Sequence, residues 1–174
     1  LTVRKKTPSI NHVPDDAKNY DGKPIDAPTF DTAADGAWTV EYKPAGADDS
    51  AYTAAAPKNV GKYTIRITTA ETDTFKAAFS TMAFEIKPRE VTISGVTAGG
   101  KTYDGNAYAA ITASGALDGL VDGDRVAIVP GKALYNDKNV GNGKTVTFYD
   151  FALSGEDAAN YVLSAQPKGT AASI

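Results

Sequence analysis

An internal repeat constrains this chain more than any other feature. Tyr20-Asp21-Gly22 recurs 83 positions later as Tyr103-Asp104-Gly105. Lys58-Asn59-Val60-Gly61 recurs unchanged 80 positions later as Lys138-Asn139-Val140-Gly141. Two matches in the same order at nearly the same offset indicate a chain built of two similar units.

The boundary between these units is predicted at Lys87-Pro88-Arg89-Glu90, which gives domains at residues 1–87 and 88–174. Domains of about 85 residues are small but can fold alone. Flexible linkers are longer and built from Gly and Ser. A four-residue joint that contains a φ-restricted proline is therefore expected to be stiff.

Alternation of apolar and polar residues with a period of two runs through both units. Tyr63, Ile65 and Ile67 alternate with polar residues, for example, and Asp-Gly and Asn-Gly turns separate such runs. The pattern predicts an all-β chain of two Ig-like β-sandwiches. A β-grasp unit with one helix at Thr72–Met82 is the alternative. A change of phase predicts a β-bulge or strand break near Asp150.

Composition excludes several classes of protein. The sequence has no cysteine and one histidine, so disulfides and Cys-ligated metals are excluded. A pI near 5.1 offers no basic patch for nucleic acid. No apolar run is long enough to insert in a membrane. Because the chain begins at Leu1 without a signal segment, we expect it to be a piece of a longer protein.

The second unit resembles the YDG repeat of bacterial surface proteins and haemagglutinin-like adhesins. The resemblance rests on Tyr103-Asp104-Gly105, Asp122-Gly123-Asp124, Asp137 to Lys144 with Val146, Leu153-Ser154-Gly155 and Asn160-Tyr161. The first unit resembles MBG-type and other bacterial Ig-like repeats more loosely. The resemblance implies non-catalytic stalk or adhesive modules of a secreted or cell-wall-associated protein. It implies no catalytic residues. We expect no cofactor, and the expected partners are a host protein, a matrix protein or a glycan, together with neighbouring repeats of the same chain.

The repeated motifs have a structural interpretation. In Tyr-Asp-Gly the Asp carboxylate can accept backbone amides and the Tyr can cover the core, while Val of Lys-Asn-Val-Gly is expected to point inward. Tyr63 is either a tyrosine corner or an amphipathic core residue. The motif residues expected to matter structurally are Tyr20, Asp21, Gly22, Gly61, Tyr63, Tyr103, Asp104, Gly105, Asn139, Gly141, Asn160 and Tyr161.

The sequence offers candidate residues for a calcium site and for a sugar-binding site, and each set also has a structural explanation. Asp118, Asp122 and Asp124 are calcium candidates, although Asp-Gly turns explain all three. Tyr52, Tyr108 and Tyr135 are candidates for stacking on sugars. Trp38 and Tyr42 share a face with Val40 and are expected in the core.

Carboxylate pairs and lysines raise two further chemistries, glycoside hydrolysis and isopeptide bond formation. The carboxylate pairs Asp15-Asp16 and Asp48-Asp49 lie in loop-like sequence, so solvated turns explain them better than glycoside hydrolysis. The adhesin resemblance also raises a Lys-to-Asn or Lys-to-Asp isopeptide bond, but the sequence shows no acceptor constellation.

Overall fold

The computed structural model describes residues 4–12 and 16–174, which leaves Asp15 of the first carboxylate pair outside the described residues. The chain divides into two compact units, residues 1–87 and 88–174. No helix in the described part of the chain is long and apolar enough to cross a membrane.

The first unit is built of six described strands. They are β1 (Ile10–His12), β2 (Ala17–Asn19), β3 (Phe30–Thr32), β4 (Trp38–Pro44), β5 (Gly61–Thr69) and β6 (Ala78–Lys87). Four form a sheet in the order β2-β6-β5-β4, in which β2 runs parallel to β6 and the other pairs are antiparallel. Strands β1 and β3 form a separate antiparallel pair.

Period-two alternation determines which face of the four-stranded sheet is buried. Ile65 and Ile67 of β5 are each 1% exposed, and Met82 lies opposite Ile65 on β6. The segment considered for a β-grasp helix, Thr72–Met82, instead enters strand β6 at Ala78. Its alternation across Met82, Phe84 and Ile86 continues the core face, so the helix alternative is wrong.

The second unit holds the remaining described strands. They are β7 (Arg89–Ala98), β8 (Tyr108–Ala109), β9 (Ile111–Asp118), β10 (Ala127–Val129), β11 (Lys132–Tyr135), β12 (Lys144–Tyr149), β13 (Ala152–Ser154), β14 (Tyr161–Leu163) and β15 (Thr170–Ala172). The sheets are β15-β12-β11-β8, β14-β7-β9 and the pair β10-β13. All described pairings in this unit are antiparallel except β14 with β7.

Residues from two sheets meet in the core of the second unit. Ile93 and Val96 come from β7, and Val146 and Phe148 come from β12. Phe151 packs edge-on against Phe148, with 5.9 Å between ring centroids.

The predicted interruption near Asp150 is confirmed. Strand β12 ends at Tyr149 and β13 begins at Ala152. Asp150 has a φ of 60°, a conformation that reverses the side-chain phase between the two strands and is uncommon outside glycine. The all-β prediction is also confirmed, because the described helical residues are confined to short 3-10 turns at Asp49–Ala51 and Ala158–Asn160.

Candidate functional site

The Tyr-Asp-Gly motif of the second unit is a turn closed by a lysine three residues before the aspartate. Lys101 Nζ donates to Asp104 Oδ1 at 2.7 Å and to the carbonyl oxygen of Asn106 at 2.8 Å. The backbone N–H of Asn106 donates to the same Asp104 oxygen at 3.1 Å. Gly105 has a φ of 84°, which the turn requires and glycine adopts without strain. We call this arrangement, in which one lysine bonds the turn aspartate and a turn carbonyl, a lysine-capped turn.

The first unit repeats these three hydrogen bonds of the lysine-capped turn. Lys18 Nζ donates to Asp21 Oδ1 at 2.8 Å and to the carbonyl oxygen of Lys23 at 2.9 Å. The N–H of Lys23 donates to Asp21 Oδ1 at 3.0 Å. The repeated motif therefore encodes the same local hydrogen-bond network in both units.

A third lysine-capped turn lies in the other repeated motif of the second unit. Lys144 Nζ donates to Asp137 and, at 2.8 Å, to the carbonyl oxygen of Asn139. The N–H of Asn139 donates to Asp137 Oδ1 at 2.7 Å. The adjoining Gly141 exchanges backbone hydrogen bonds with Ile174.

These turns favour the ionised form of their aspartates. In Asp21, Asp104 and Asp137 the hydrogen bond from the lysine, followed by the bond from the backbone N–H, lowers the pKa below its usual value. A carboxylate with a lowered pKa is suited to holding a turn at neutral pH. It is poorly suited to donating a proton in catalysis.

The first unit uses a tyrosine in place of the third lysine-capped turn. Pro57 stands before Lys58-Asn59-Val60-Gly61, where the second unit has Asp137. Here the hydroxyl of Tyr63 donates to the carbonyl oxygen of Asn59 at 2.8 Å, just after β5 begins at Gly61. A tyrosine corner makes this kind of bond to upstream backbone.

The large side chains of the repeated motifs are placed differently in the two units. Tyr20 is 2% exposed, as expected for a ring that covers the core, but Tyr103 is 53% exposed. Val140 is 73% exposed, so the expectation that it points inward is wrong. The hydrogen bonds that define the lysine-capped turns involve only backbone, Asp and Lys atoms. The exposure of the neighbouring Tyr and Val side chains therefore depends on the packing around each turn.

The structure contradicts the prediction that Tyr135 is available for stacking. It is 3% exposed, and its hydroxyl contacts the carbonyl oxygens of Gly99, at 2.8 Å, and Ser173, at 3.2 Å, as a donor. A buried tyrosine with a satisfied hydroxyl is a core residue.

Tyr52 and Tyr108 have opposite environments. Arg66 Cζ lies 3.8 Å and Lys43 Nζ lies 4.8 Å from the centroid of the Tyr52 ring. The ring therefore already makes cation–π contacts with side chains of its own unit. Tyr108 is 64% exposed on β8, where it pairs with Leu134. Of the three candidate tyrosines, Tyr108 alone presents an open ring.

The Asn-Tyr end of the second unit supports the Asp-rich loop. Tyr161 is 7% exposed, and its hydroxyl accepts from the N–H of Val121 at 3.0 Å and contacts Asp124 closely. Burial, followed by the hydrogen bond with Asp124, raises the pKa of Tyr161. The preceding Asn160 is also buried.

The same contact counts against calcium at Asp118, Asp122 and Asp124. Asp124 is engaged by Tyr161, and Asp118 ends β9, where it lies opposite Thr92. Among residues 4–12 and 16–174, no three acidic or histidine side chains are grouped so that they could hold a metal ion. The structure therefore does not assemble the three carboxylates.

Trp38 departs most clearly from expectation. It shares the core-facing side of the sheet with Tyr42, which is buried, yet Trp38 is 54% exposed. Phe30 packs against it at right angles, with 5.0 Å between ring centroids. Trp38 lies at the first position of β4, the edge strand of the sheet, and an open cleft of about 510 Å³ remains beside it.

Sequence comparison bears on the second unit. The family model of the YDG domain matches residues 87–169. No curated protein and no solved structure matches the chain.

Proposed function

Residues 87–169 form a YDG domain, and from this premise we propose that the chain is a non-catalytic spacer segment of a larger bacterial surface or secreted protein. Its work is to carry tension and hold other parts of that protein away from the cell. The first unit supports the proposal because it contains the same lysine-capped turn as the YDG domain.

One observation carries the proposal. In each unit, a strand near the N-terminal end pairs in parallel with a strand near the C-terminal end. In the first unit β2 pairs with β6, with Ala17 opposite Glu85. In the second unit β7 pairs with β14, with Arg89 opposite Tyr161.

Parallel pairing of this kind resists extension. When the two ends of a unit are pulled apart, two parallel strands that lie near opposite ends of the unit slide past one another, so the hydrogen bonds between them are loaded together. Antiparallel neighbours pulled from one end instead separate bond by bond. Forced unfolding is governed by the unfolding rate, which a shared load keeps low. This geometry is suited to a load-bearing segment.

The titration behaviour of the carboxylates supports a non-catalytic role. Every carboxylate in the described residues for which a shift is resolved has a lowered pKa: Asp21, Asp49, Glu71, Asp104 and Asp137. In each case the first cause is a hydrogen bond from a lysine. General acids need raised values, so these groups are better suited to structural ion pairs.

Single-molecule force spectroscopy of the full chain tests the proposal. Ser164 follows β14, and its N–H donates to the carbonyl oxygen of Val91 on β7 at 3.0 Å. Ser164→Pro removes this donor, so we expect a lower unfolding force for the second unit. Ser164→Ala is the matched control, because it keeps the N–H and loses only the hydroxyl, which also bonds Val91. A force unchanged by Ser164→Pro, or unmodified units that extend without a force peak, would refute the load-bearing role.

A further inference from the structure

The first unit contains a cleft that the spacer role does not use. It is the cleft of about 510 Å³ beside Trp38, and Phe30, Asp31 and Asp35 also line it. Its volume falls in the range of small-molecule sites, about 300–1,000 Å³. More than half of the Trp38 surface is exposed. A solvated tryptophan on the apolar face of a sheet forgoes the stabilisation of burial.

One wall of the cleft is fixed by the connection between β5 and β6. Thr72 Oγ1 donates to Asp35 Oδ1 at 2.7 Å, and the N–H of Ala70 donates to the carbonyl oxygen of Ala37 at 2.8 Å. A Cβ added to Gly36 would lie 2.9 Å from the carbonyl oxygen of Ala70. The loop that bears Asp35 is therefore closely packed against its neighbour.

The opposite wall is fixed by the β1-β3 pair. Thr32 Oγ1 donates to the carbonyl oxygen of Ser9 at 2.9 Å and accepts from the N–H of Ala34 at 3.2 Å. Asp31 precedes Thr32 on β3, and no described residue hydrogen-bonds its carboxylate. The cleft is thus largely preformed, which reduces the entropy that a ligand must offset on binding.

The lining combines an open indole, hydrogen-bond acceptors and small apolar residues. Asp31 and Asp35 both line the cleft, the Asp31 carboxylate has no hydrogen-bond partner among the described residues, and Thr72 bonds only one oxygen of Asp35. Pro28 and Ala34 supply flat apolar contacts, and among the described residues no lysine or arginine lines the cleft. This set matches a ligand with a C–H face and several hydroxyl donors, and it repels anions.

We propose that the Trp38 cleft binds a neutral pyranose sugar of a glycan. One face of the sugar ring stacks on the indole, and its hydroxyl groups donate to Asp31 and Asp35. Proteins that bind an alkylammonium ligand typically surround the cation with a cage of several aromatic rings. Here Trp38 and Phe30 are the described aromatic residues of the lining, and Phe30 is turned edgewise to Trp38. This binding is independent of the spacer role, so either proposal can fail alone.

The test uses the full chain on an array of neutral, acidic and amino sugars, followed by titration of the best neutral sugar. Trp38 is the only tryptophan in the sequence, so its fluorescence reports directly on the cleft. We expect binding to neutral glycans and a saturable fluorescence change at sugar concentrations up to about 10 mM, where weak single-site binding still registers.

Variants connect any binding to the cleft. Trp38→Ala and Asp31→Asn should each weaken array binding by about tenfold or more, equivalent to about 1.4 kcal/mol. Phe79→Ala is the matched control, because Phe79 is 70% exposed on the same sheet but on the opposite face. Asp31→Asn removes no hydrogen bond among the described residues, so it keeps the test valid if Trp38→Ala disturbs folding.

Three outcomes would overturn the proposal. The first is an array with no neutral glycan bound and no fluorescence change during titration. The second is glycan binding that Trp38→Ala and Asp31→Asn leave unchanged. The third is choline chloride changing the Trp38 fluorescence at lower concentration than any neutral sugar, which would assign the cleft to a cationic ligand.

Discussion

Two glycines face each other in the centre of the β7-β9 ladder, and they should respond very differently to the same substitution. Gly95 lies between Ser94 and Val96, whose partners are Ala116 and Ser114, so Gly115 is opposite it. Gly95 has a φ of 73° and Gly115 a φ of 81°. Both are in the left-handed region, which costs a residue with a side chain about 1–2 kcal/mol.

The surroundings of the two positions differ. A Cβ at Gly95 would meet no described atom within 4 Å. A Cβ at Gly115 would lie 2.4 Å from the carbonyl oxygen of Ser94 and 2.9 Å from methyl carbons of Ile93 and Val96. Overpacking of this kind costs about 1–3 kcal/mol. Alanine also stiffens the unfolded chain, which offsets about 0.4–1 kcal/mol equally in both variants.

The difference between Gly115→Ala and Gly95→Ala therefore isolates the clash. We expect Gly115→Ala to lower the free energy of unfolding of the second unit by about 1–3 kcal/mol more than Gly95→Ala. For a unit of this size that corresponds to about 5–20 °C in melting temperature.

Scanning calorimetry of the full chain measures this difference. The fluorescence of Trp38 identifies the transition of the first unit, and the remaining transition belongs to the second. Equal melting temperatures for the two variants would refute the argument from local geometry, because backbone conformation alone would then account for both.

Four further outcomes are expected. Tyr63→Phe removes the donor to Asn59 and should lower the free energy of unfolding by about 1 kcal/mol in denaturant titration; no change would mean that water replaces the bond without loss. Because the folded-state pKa of Asp137 is lowered, its stabilisation is present above the unfolded value near 3.8 and is lost as pH falls through the folded value. Lys144→Met should therefore flatten the acid dependence of the melting temperature below about pH 5, and an unaltered profile would contradict that origin. Calcium and chelator should give the same melting temperature, since the candidate carboxylates are not assembled; a rise with calcium would reverse this conclusion. The intact mass should show no loss of water relative to the unmodified chain, because an ionised carboxylate is a poor electrophile for lysine; a mass lower by one water would reveal a Lys-to-Asp isopeptide bond.

The strands of both units could be predicted because the sequence pattern and the burial have the same period. Ile65 and Ile67 alternate with polar neighbours in the sequence, and both are buried on one face of β5. The change of phase at Asp150 is also visible in the sequence and corresponds to a real break between β12 and β13. Period-two alternation depends only on neighbouring residues, so it can be recognised in the sequence without knowing which strands pair with each other.

The environments of single aromatic residues could not be predicted in the same way. Trp38 and Tyr42 lie on the same face of β4, but only Tyr42 is covered. Tyr20 and Tyr103 occupy the same motif, yet one is buried and the other is half-exposed. Alternation assigns a side chain to a face of a strand. Whether another layer covers that point depends on strand length and on distant loops.

The repeat, the all-β character and the turns follow from the order of residues along the chain, because each depends on close neighbours. The short segments 18–24 and 101–106 contain every donor and acceptor of the hydrogen bonds that close the two Tyr-Asp-Gly turns. The parallel pairing of β2 with β6, the contact of Tyr161 with Asp124 and the cleft beside Trp38 became visible only in the folded chain. These features join residues far apart in the sequence, and their geometry is set by how the strands pair and where the sheets end.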